Sequence, residues 1–477
     1  MPLPELKRLF KGRILVLGCG SVSQCTLPLL LRHLDMPPDR ITVMDMIDCR
    51  DTIPDALAAG VNFQVNRVTE QNYRTLLTEL LSSGDILIDL AWNVETLALL
   101  DWCHHNGVCY VNTSVEEWNP YTASGAEFTL YARQSKLRSL IAGWQEPRGS
   151  TAVVDHGANP GLVSHFTKIA LLDIAGKIVQ ETPDDVRVPH IESAINSQRF
   201  NQLAMLTGVC TIHISERDTQ ITDRPKRVNE FVNTWSIEGF YEEGIAPAEM
   251  GWGTHEKRLP HDANCHSEGP RNQIYLDRRG MDTWVRSWVP CGPIVGMVIR
   301  HGEAFSISDA LTVREESGDV VYRPTVHYAY CPSDVAVASL HELKMRNFQL
   351  QTDQRIMSDE IVDGRDELGC LLMGHDFGAW WTGSLLDIQE TRELIGGQNA
   401  TTLQVACSVL GCVDWMICHP HEGVKLPDEL PHDEVLEIAL PYLGPFVSQP
   451  TDWRPAPAEN PVDLDALWQF ETFLVKP

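Results

Sequence analysis

Basic residues are scarce in this chain. Lys and Arg number 38 against 65 Asp and Glu, a formal net charge of −27. That balance argues against nucleic acid and an anionic membrane as partners. No C-x-x-C pair occurs among the 13 cysteines. Neither His419-Pro420-His421 nor His261 with Cys265-His266 has four-ligand zinc spacing, so no metal is expected. Isolated cysteines point to reduced thiols in a cytoplasmic protein. No run approaches the roughly 18 apolar residues that cross a bilayer. The first residues, Met1-Pro2-Leu3-Pro4-Glu5, lack the order of a secretory signal. A G-x-S-x-G elbow and a P-loop are both missing, which removes two common hydrolytic chemistries. Internal repeats and low-complexity blocks are absent as well.

What is present is an ordinary globular composition, 43% hydrophobic and 22% charged. A length of 477 residues suits two or three domains. Residues 12–160 alternate short apolar runs with helical patterns. Strands are expected over 13–17, 40–44, 62–65, 85–90, 108–112 and 151–155. Apolar runs without alternation, separated by helices, belong to a buried parallel sheet. From about 165 the texture changes to period-two alternation, as over 211–214 and 283–289. That is the pattern of an antiparallel or mixed sheet. Residues 256–273 read as a long loop. Beyond Gly396-Gly397, a helix over 400–410 and further helices read as a return to the first domain. An extended tail over 449–462 and an amphipathic helix over 464–473 follow. The expected fold class is an α/β Rossmann domain with an inserted α+β second domain built on a mixed or antiparallel sheet. The boundaries are 1–164 for the dinucleotide domain, 165–395 for the substrate domain, and 396–477 for the returning helices and tail.

The strongest local motif is Gly18-Cys19-Gly20-Ser21-Val22-Ser23, between the first strand and its helix. Gly18 allows the tight turn, and Gly20 lets backbone approach a pyrophosphate at a helix N-terminus. Ser21 and Val22 open the helix, and the small Ser23 takes the third position. Asp45 ends the second strand, where a carboxylate accepts ribose hydroxyls and repels a 2′-phosphate. NAD is therefore the expected cofactor. Asn93 and Thr113, after the fourth and fifth strands, are candidates for the nicotinamide ribose. Helix capping by Asn93 or Ser114 accounts for those loops equally well.

Further on, the loop His156-Gly157-Ala158-Asn159-Pro160-Gly161 presents Asn159 where the domains meet. Carboxylates recur at Glu116-Glu117, Glu216, Glu238, Glu242-Glu243, Asp363 and Asp366-Glu367. Trp235, Trp252 and His301 stand beside acidic or Gly-rich segments. An aromatic face beside carboxylates is a means of holding organic cations.

Several of these segments together resemble bacterial homospermidine synthase, an offshoot of the saccharopine dehydrogenase-like enzymes. They are the turn at 18–23, the Gly157–Gly161 loop, the runs Ala248-Glu249-Met250-Gly251-Trp252-Gly253-Thr254-His255-Glu256 and Val298-Ile299-Arg300-His301-Gly302-Glu303-Ala304, and Asp366-Glu367-Leu368-Gly369. The resemblance covers nearly the whole chain. It implies redox-neutral use of NAD on putrescine, with spermidine as a possible second donor, in a homodimer. It assigns Trp235 to stabilising a cationic imine, and Glu216 and Asn159 to the inner amine. Glu117, Glu243 and Asp366 are assigned to anchoring amines, although each doublet offers its neighbour as an alternative. His301 is the candidate proton carrier, because imidazole titrates near neutrality. The rival readings are a saccharopine-type dehydrogenase acting on an amino or keto acid, which would need Arg clamps, and a non-catalytic NAD-binding regulator.

Overall fold

The structure is a computed structural model and describes residues 7–122, 125–146, 148–455 and 466–475. The first half begins with β1 (Ile14–Leu17), α1 (Ser21–His33), β2 (Ile41–Asp45) and β3 (Asn62–Val65). β4 (Ile86–Asp89), α2 (Thr96–Asn106), β5 (Cys109–Asn112), α3 (Leu130–Gly143) and β6 (Ala152–Val153) complete it. The strands Ile-Leu-Val-Leu and Ile-Leu-Ile-Asp, apolar except for the terminal Asp89, are buried along their whole length. They are covered on both faces, as parallel strands joined by helices must be.

After α4 (Leu162–Glu181) come β7 (Thr211–Asp218), α5 (Ile237–Ile245), β8 (Pro247–Gly251), β9 (Ala263–Cys265), β10 (Gln273–Arg279), β11 (Trp284–Val289) and β12 (Gly292–Met297). α6 (Gly302–Ala310), β13 (Thr325–Cys331), β14 (Arg365–Met373) and β15 (Ala379–Asp387) follow. The chain ends through α7 (Ala400–Cys418), β16 (Val424–Lys425), α8 (His432–Ala439) and β17 (Phe446–Thr451).

Two sheets organise the molecule. The first is wholly parallel, in the order β3-β2-β1-β4-β5-β6-β16. Its first six strands have the doubly wound 3-2-1-4-5-6 arrangement, which places ligands at the carboxyl ends beside β1. The second sheet runs β9-β10-β8-β13-β7-β14-β15-β17, with the β11–β12 hairpin attached through β12 to β13. It is mixed: β7 and β13 are parallel and the other pairs antiparallel. The segment expected to be a loop over 256–273 thus contributes the edge strand β9.

β16 and β17 were not expected. β16 extends the Rossmann sheet, whereas β17 adds an edge to the mixed sheet. The C-terminal segment therefore serves both sheets. The extended reading over 449–462 overlaps β17, and residues 456–465 lie outside the described set. Of the helix expected over 464–473, the described part forms one turn, Phe470–Phe473.

α7 packs against α1 and α8 on one side and reaches β5, β14 and β15 on the others. It is long and apolar enough by composition to cross a membrane, although Thr401, Thr402, Gln404, Ser408 and Asp414 interrupt its apolar residues. Its apolar residues, among them Leu403, Val409 and Leu410, are instead enclosed in the protein core. A helix that is hydrophobic all round is expected at such a central place. One apolar cluster continues from α1 and α4 through α7 to the cleft-facing side of the mixed sheet. All thirteen cysteines are free thiols.

Leu403→Ala should therefore cost about 2–5 kcal/mol, the range for deleting an enclosed leucine side chain. Denaturant titration checks this. A loss under about 0.5 kcal/mol, the level of a neutral surface change, would mean that α7 is not central to the core.

Candidate active site

The dinucleotide turn is built as its sequence requires. Gly18 has φ +86°, and a Cβ there would lie 2.7 Å from the Leu90 carbonyl oxygen. No other residue type fits between β1 and β4. Ser23 donates to the Gly18 carbonyl at 2.6 Å and fixes the turn. A Cβ on Gly20 would meet no atom within 4 Å, so the space before α1 is open. α1 carries no acid in its first turn and no side-chain cap. Its free N–H groups, with Ser21 and Val22 in that turn, suit a phosphate. Asp45 stands beside the turn and accepts from Cys19 N–H at 2.7 Å and Ile47 N–H at 3.0 Å. Arg50, the nearby cation that could meet a 2′-phosphate, is engaged by Asp48 at 2.7 Å. These residues fit a dinucleotide with a free 2′-hydroxyl.

From this turn a cavity of about 210 Å³ extends between the two sheets. Val22, Thr113, Asn159, Glu216, Trp235, Glu243 and His301 line it. They come from six separate parts of the chain. The Asn159 loop is shaped by Gly161, with φ +130° and a hypothetical Cβ 1.8 Å from the Gly157 carbonyl oxygen. Asn159 then donates its side-chain N–H to Glu216 at 3.0 Å.

Strand alternation places the polar side chains of the mixed sheet. On β7, Glu216 and Asp218 face the cleft with Ile212 and Ile214, while His213 and Ser215 point to the other side. On β13, Tyr328 and Tyr330 share the cleft face, and His327 turns away against Phe470. The Tyr328 hydroxyl donates to Glu216. The Tyr330 hydroxyl accepts from Trp235 Nε1 at 3.0 Å. Asp366 on β14 is opposite Asp218 in register and does not line the cavity. It accepts from the Thr401 hydroxyl of α7 at 2.5 Å, and it is through Thr401 that this corner reaches the cavity.

The expected anchors divide. Glu243 faces the cavity, but Glu117 does not. The Glu117 carboxylate is held by Lys136 at 2.6 Å and Arg133 at 3.5 Å. Its neighbour Glu116 lines the cavity, with one oxygen accepting from Ser114 at 2.7 Å and the other unpartnered. Asn93 also lies outside the lining, one residue beyond Trp92. Among the other acids, Glu242 lines the cavity. Asp363 is exposed, and Glu367 accepts from Cys291 N–H. Trp252 packs against Phe470 on the far face of the mixed sheet. The distinctive run 248–256 is thus structural in part, since Glu249 caps α3 through Leu130 and Tyr131 N–H.

Arg133, Arg300, Asp155 and Tyr328 line the cavity without having been singled out from sequence. Both arginines grip one oxygen of Glu242, and Arg300 also donates to the Phe128 carbonyl. Neither is free to clamp a substrate carboxylate. The signal for Tyr328 was available in the alternation His-Tyr-Ala-Tyr of β13. Nothing in sequence distinguishes Arg133 from any other helical arginine.

Burial governs the protonation of the acids. Glu216 is pushed up to about 7 by desolvation, against hydrogen bonds from Tyr328 and Asn159 and the charge of His301; Asp218 adds to the rise. Desolvation likewise raises Glu116 to about 8, helped by the charge of Glu242. Asp155 is raised to about 7, by desolvation and then by Glu303. Glu243 is raised by burial while His301 opposes. His301 departs from the expectation of an imidazole that titrates near neutrality. Burial alone would lower its pKa, but Glu243 and Glu303 outweigh burial and raise it well above the ordinary value.

Fold and cleft together define a two-domain, dinucleotide-dependent enzyme of the saccharopine dehydrogenase class. The family model for the saccharopine dehydrogenase NADP binding domain matches residues 14–153, and that for the C-terminal domain matches 157–452. The homospermidine synthase of Blastochloris viridis is 42% identical over 98% of both chains. That of Mesorhizobium japonicum is 40% identical over 98% of this chain and 96% of its own. The crystal structure of homospermidine synthase from Legionella pneumophila in complex with NAD matches with a TM-score of 0.87 at 39% identity, over 98% of this chain and 99% of the other. The chain belongs to the homospermidine synthase family.

If the cleft works with Glu216 ionised, kcat/KM should rise with pH through about 7, where burial places that carboxyl. Tyr328→Phe removes a donor to that carboxylate. A hydrogen bond to a charged group contributes about 1.5–3 kcal/mol, and about 1.36 kcal/mol corresponds to one pKa unit. The acidic limb should therefore move upward by about one to two units. A limb that stays in place would remove Glu216 from this role.

Proposed function

We propose that this chain makes homospermidine and ammonia from two molecules of putrescine, with NAD retained through the cycle. The observation that carries this reading is the gathering of buried carboxylates beside Trp235, next to the dinucleotide turn, with both lining arginines occupied by Glu242. A desolvated carboxylate cluster is relieved by a cationic ligand. A diamine fits that demand, and an amino or keto acid does not. NAD, when bound, accepts a hydride from the amine-bearing carbon and returns it later in the same turnover.

The chain's own groups do the rest. Glu216 and Asn159 hold one amine end at the inner wall. Glu243 and Glu116 take the other end, with Asp366 supporting the inner wall through Thr401. The face of Trp235 stabilises the cationic imine, to which the second putrescine adds as ammonia leaves. The indole is fixed by its bond to Tyr330 and by Phe240, whose ring centroid lies 5.4 Å away. Asp45 favours NAD over NADP by occupying the place that a 2′-phosphate would need. Spermidine would present the same aminobutyl end and is a possible donor. Free thiols throughout suit a cytoplasmic setting.

Enzyme, NAD and putrescine should yield homospermidine and ammonia in equal amounts, with no net rise in NADH absorbance. Stoichiometric NADH would favour a plain dehydrogenase instead.

Trp235→Ala should lower kcat by between about twofold and thirtyfold, the rate equivalent of roughly 0.5–2 kcal/mol of cation–π stabilisation. Trp235→Phe should retain more activity, because a phenyl face still attracts a cation. Thermal melts on both variants separate a site role from packing. Undiminished turnover in a folded Ala variant would end this assignment.

A further inference from the structure

His301 lies between two carboxylates, only one of which faces the cavity. On the cavity side, Nε2 is 3.1 Å from Glu243. On the rear side, Nδ1 is 3.3 Å from Glu303. Glu303 is fully buried at 0% exposure, and apart from that Nδ1 neither of its oxygens has a polar partner. A carboxylate so enclosed is costly unless a charge faces it. The charge that faces Glu303 is the imidazolium of His301.

We propose that Glu303 is a positioning residue that locks His301 in its charged form, so that Glu243 remains free to receive a substrate ammonium. The assignment rests on the diamine reading above. With a single carboxylate partner, His301 and Glu243 would neutralise one another, and a cation entering the cavity would have to break that pair. With two, one cation stands between two anions, and the surplus negative charge lies on the cavity side. His301 then offers N–H at both nitrogens. It acts as a fixed donor and is not a base that strips protons from the incoming amine.

The surrounding groups agree with this. Arg300 precedes His301 but is turned toward Glu242 and Phe128. Asp155, from the loop after β6, and Glu216, on β7, are each influenced by the His301 charge. Tyr328 on β13 sets its ring 4.3 Å from the imidazole. It contributes a wall, and its hydroxyl is committed to Glu216. All the remaining charge around His301 is thus negative apart from the engaged Arg300. Burial opposes the charged imidazole, and Glu243 and Glu303 together overcome it.

A merely structural role is also available to Glu303, as the acid in the first turn of α6. Glu303→Gln keeps the volume and the helix, so it separates the two. The basic limb of the kcat profile should move at least one unit to lower pH in this variant, with KM for putrescine changing less than kcat. A structural role predicts lower kcat or a lower melting temperature with the limb in place.

The NAD-loaded wild-type protein gives an independent measurement that needs no variant of Glu303. In its histidine ring nitrogen spectrum, His301, assigned by its loss in His301→Gln, should be an imidazolium at pH 8. A neutral His301 at that pH, or an unmoved basic limb in Glu303→Gln, overturns the proposal. Failure to form homospermidine would overturn the proposed reaction, while the protonation of His301 would still be decided by its spectrum.

Discussion

The grip of Arg133 and Arg300 on one oxygen of Glu242 is the contact on which the cleft depends. Arg133 comes from α3 beside the Rossmann sheet, while Arg300 and Glu242 come from the second half of the chain. The ion pair therefore fastens the two halves at the cavity wall. Removing charges from water carries a large penalty, and here two guanidinium groups offset it at one oxygen of Glu242 while the other oxygen has no hydrogen-bond partner. The same contact has an electrostatic result. Both permanent cations of the lining are used internally, and Glu116, Glu216, Glu243 and Asp155 are left to set the potential. Burial raises the pKa of each of them, so each is harder to ionise inside the protein than in water. In the proposed function a cationic ligand relieves that cost, so selectivity for amines would follow from burial more than from any single contact.

The Rossmann half was legible because its signals are local. Unbroken apolar runs gave the strands to within a residue or two, as with 85–90 against Ile86–Asp89. Gly18 and Asp45 sit where a dinucleotide turn needs them. The mixed sheet was legible as a texture but not as a topology. β13 pairs in parallel with β7 across more than a hundred residues of chain, and no local pattern encodes that partnership. β16 is two residues long, too short for periodicity to register.

The acidic doublets show a different limit. Both members of Glu116-Glu117 are polar and adjacent, and sequence cannot tell which one turns inward. The answer comes from Lys136 and Arg133, which capture Glu117 from α3. His301 shows a third limit. Its ordinary pKa suggested a proton carrier, and the two flanking carboxylates change its state. One of them, Glu303, is two residues away and was visible in the sequence. The other, Glu243, reaches it only through the fold.

The late return of the chain also affects the order in which the molecule can be assembled. α7 covers α1, which precedes it by nearly four hundred residues, and β17 adds an edge to a sheet begun at β7. During synthesis the apolar face of α1 and the open edge of β15 have no native cover until those segments emerge. Exposed apolar surface and unpaired strand edges are the features that invite misassembly in large chains. The Rossmann half thus completes its core only once α7 has been made and has packed on α1.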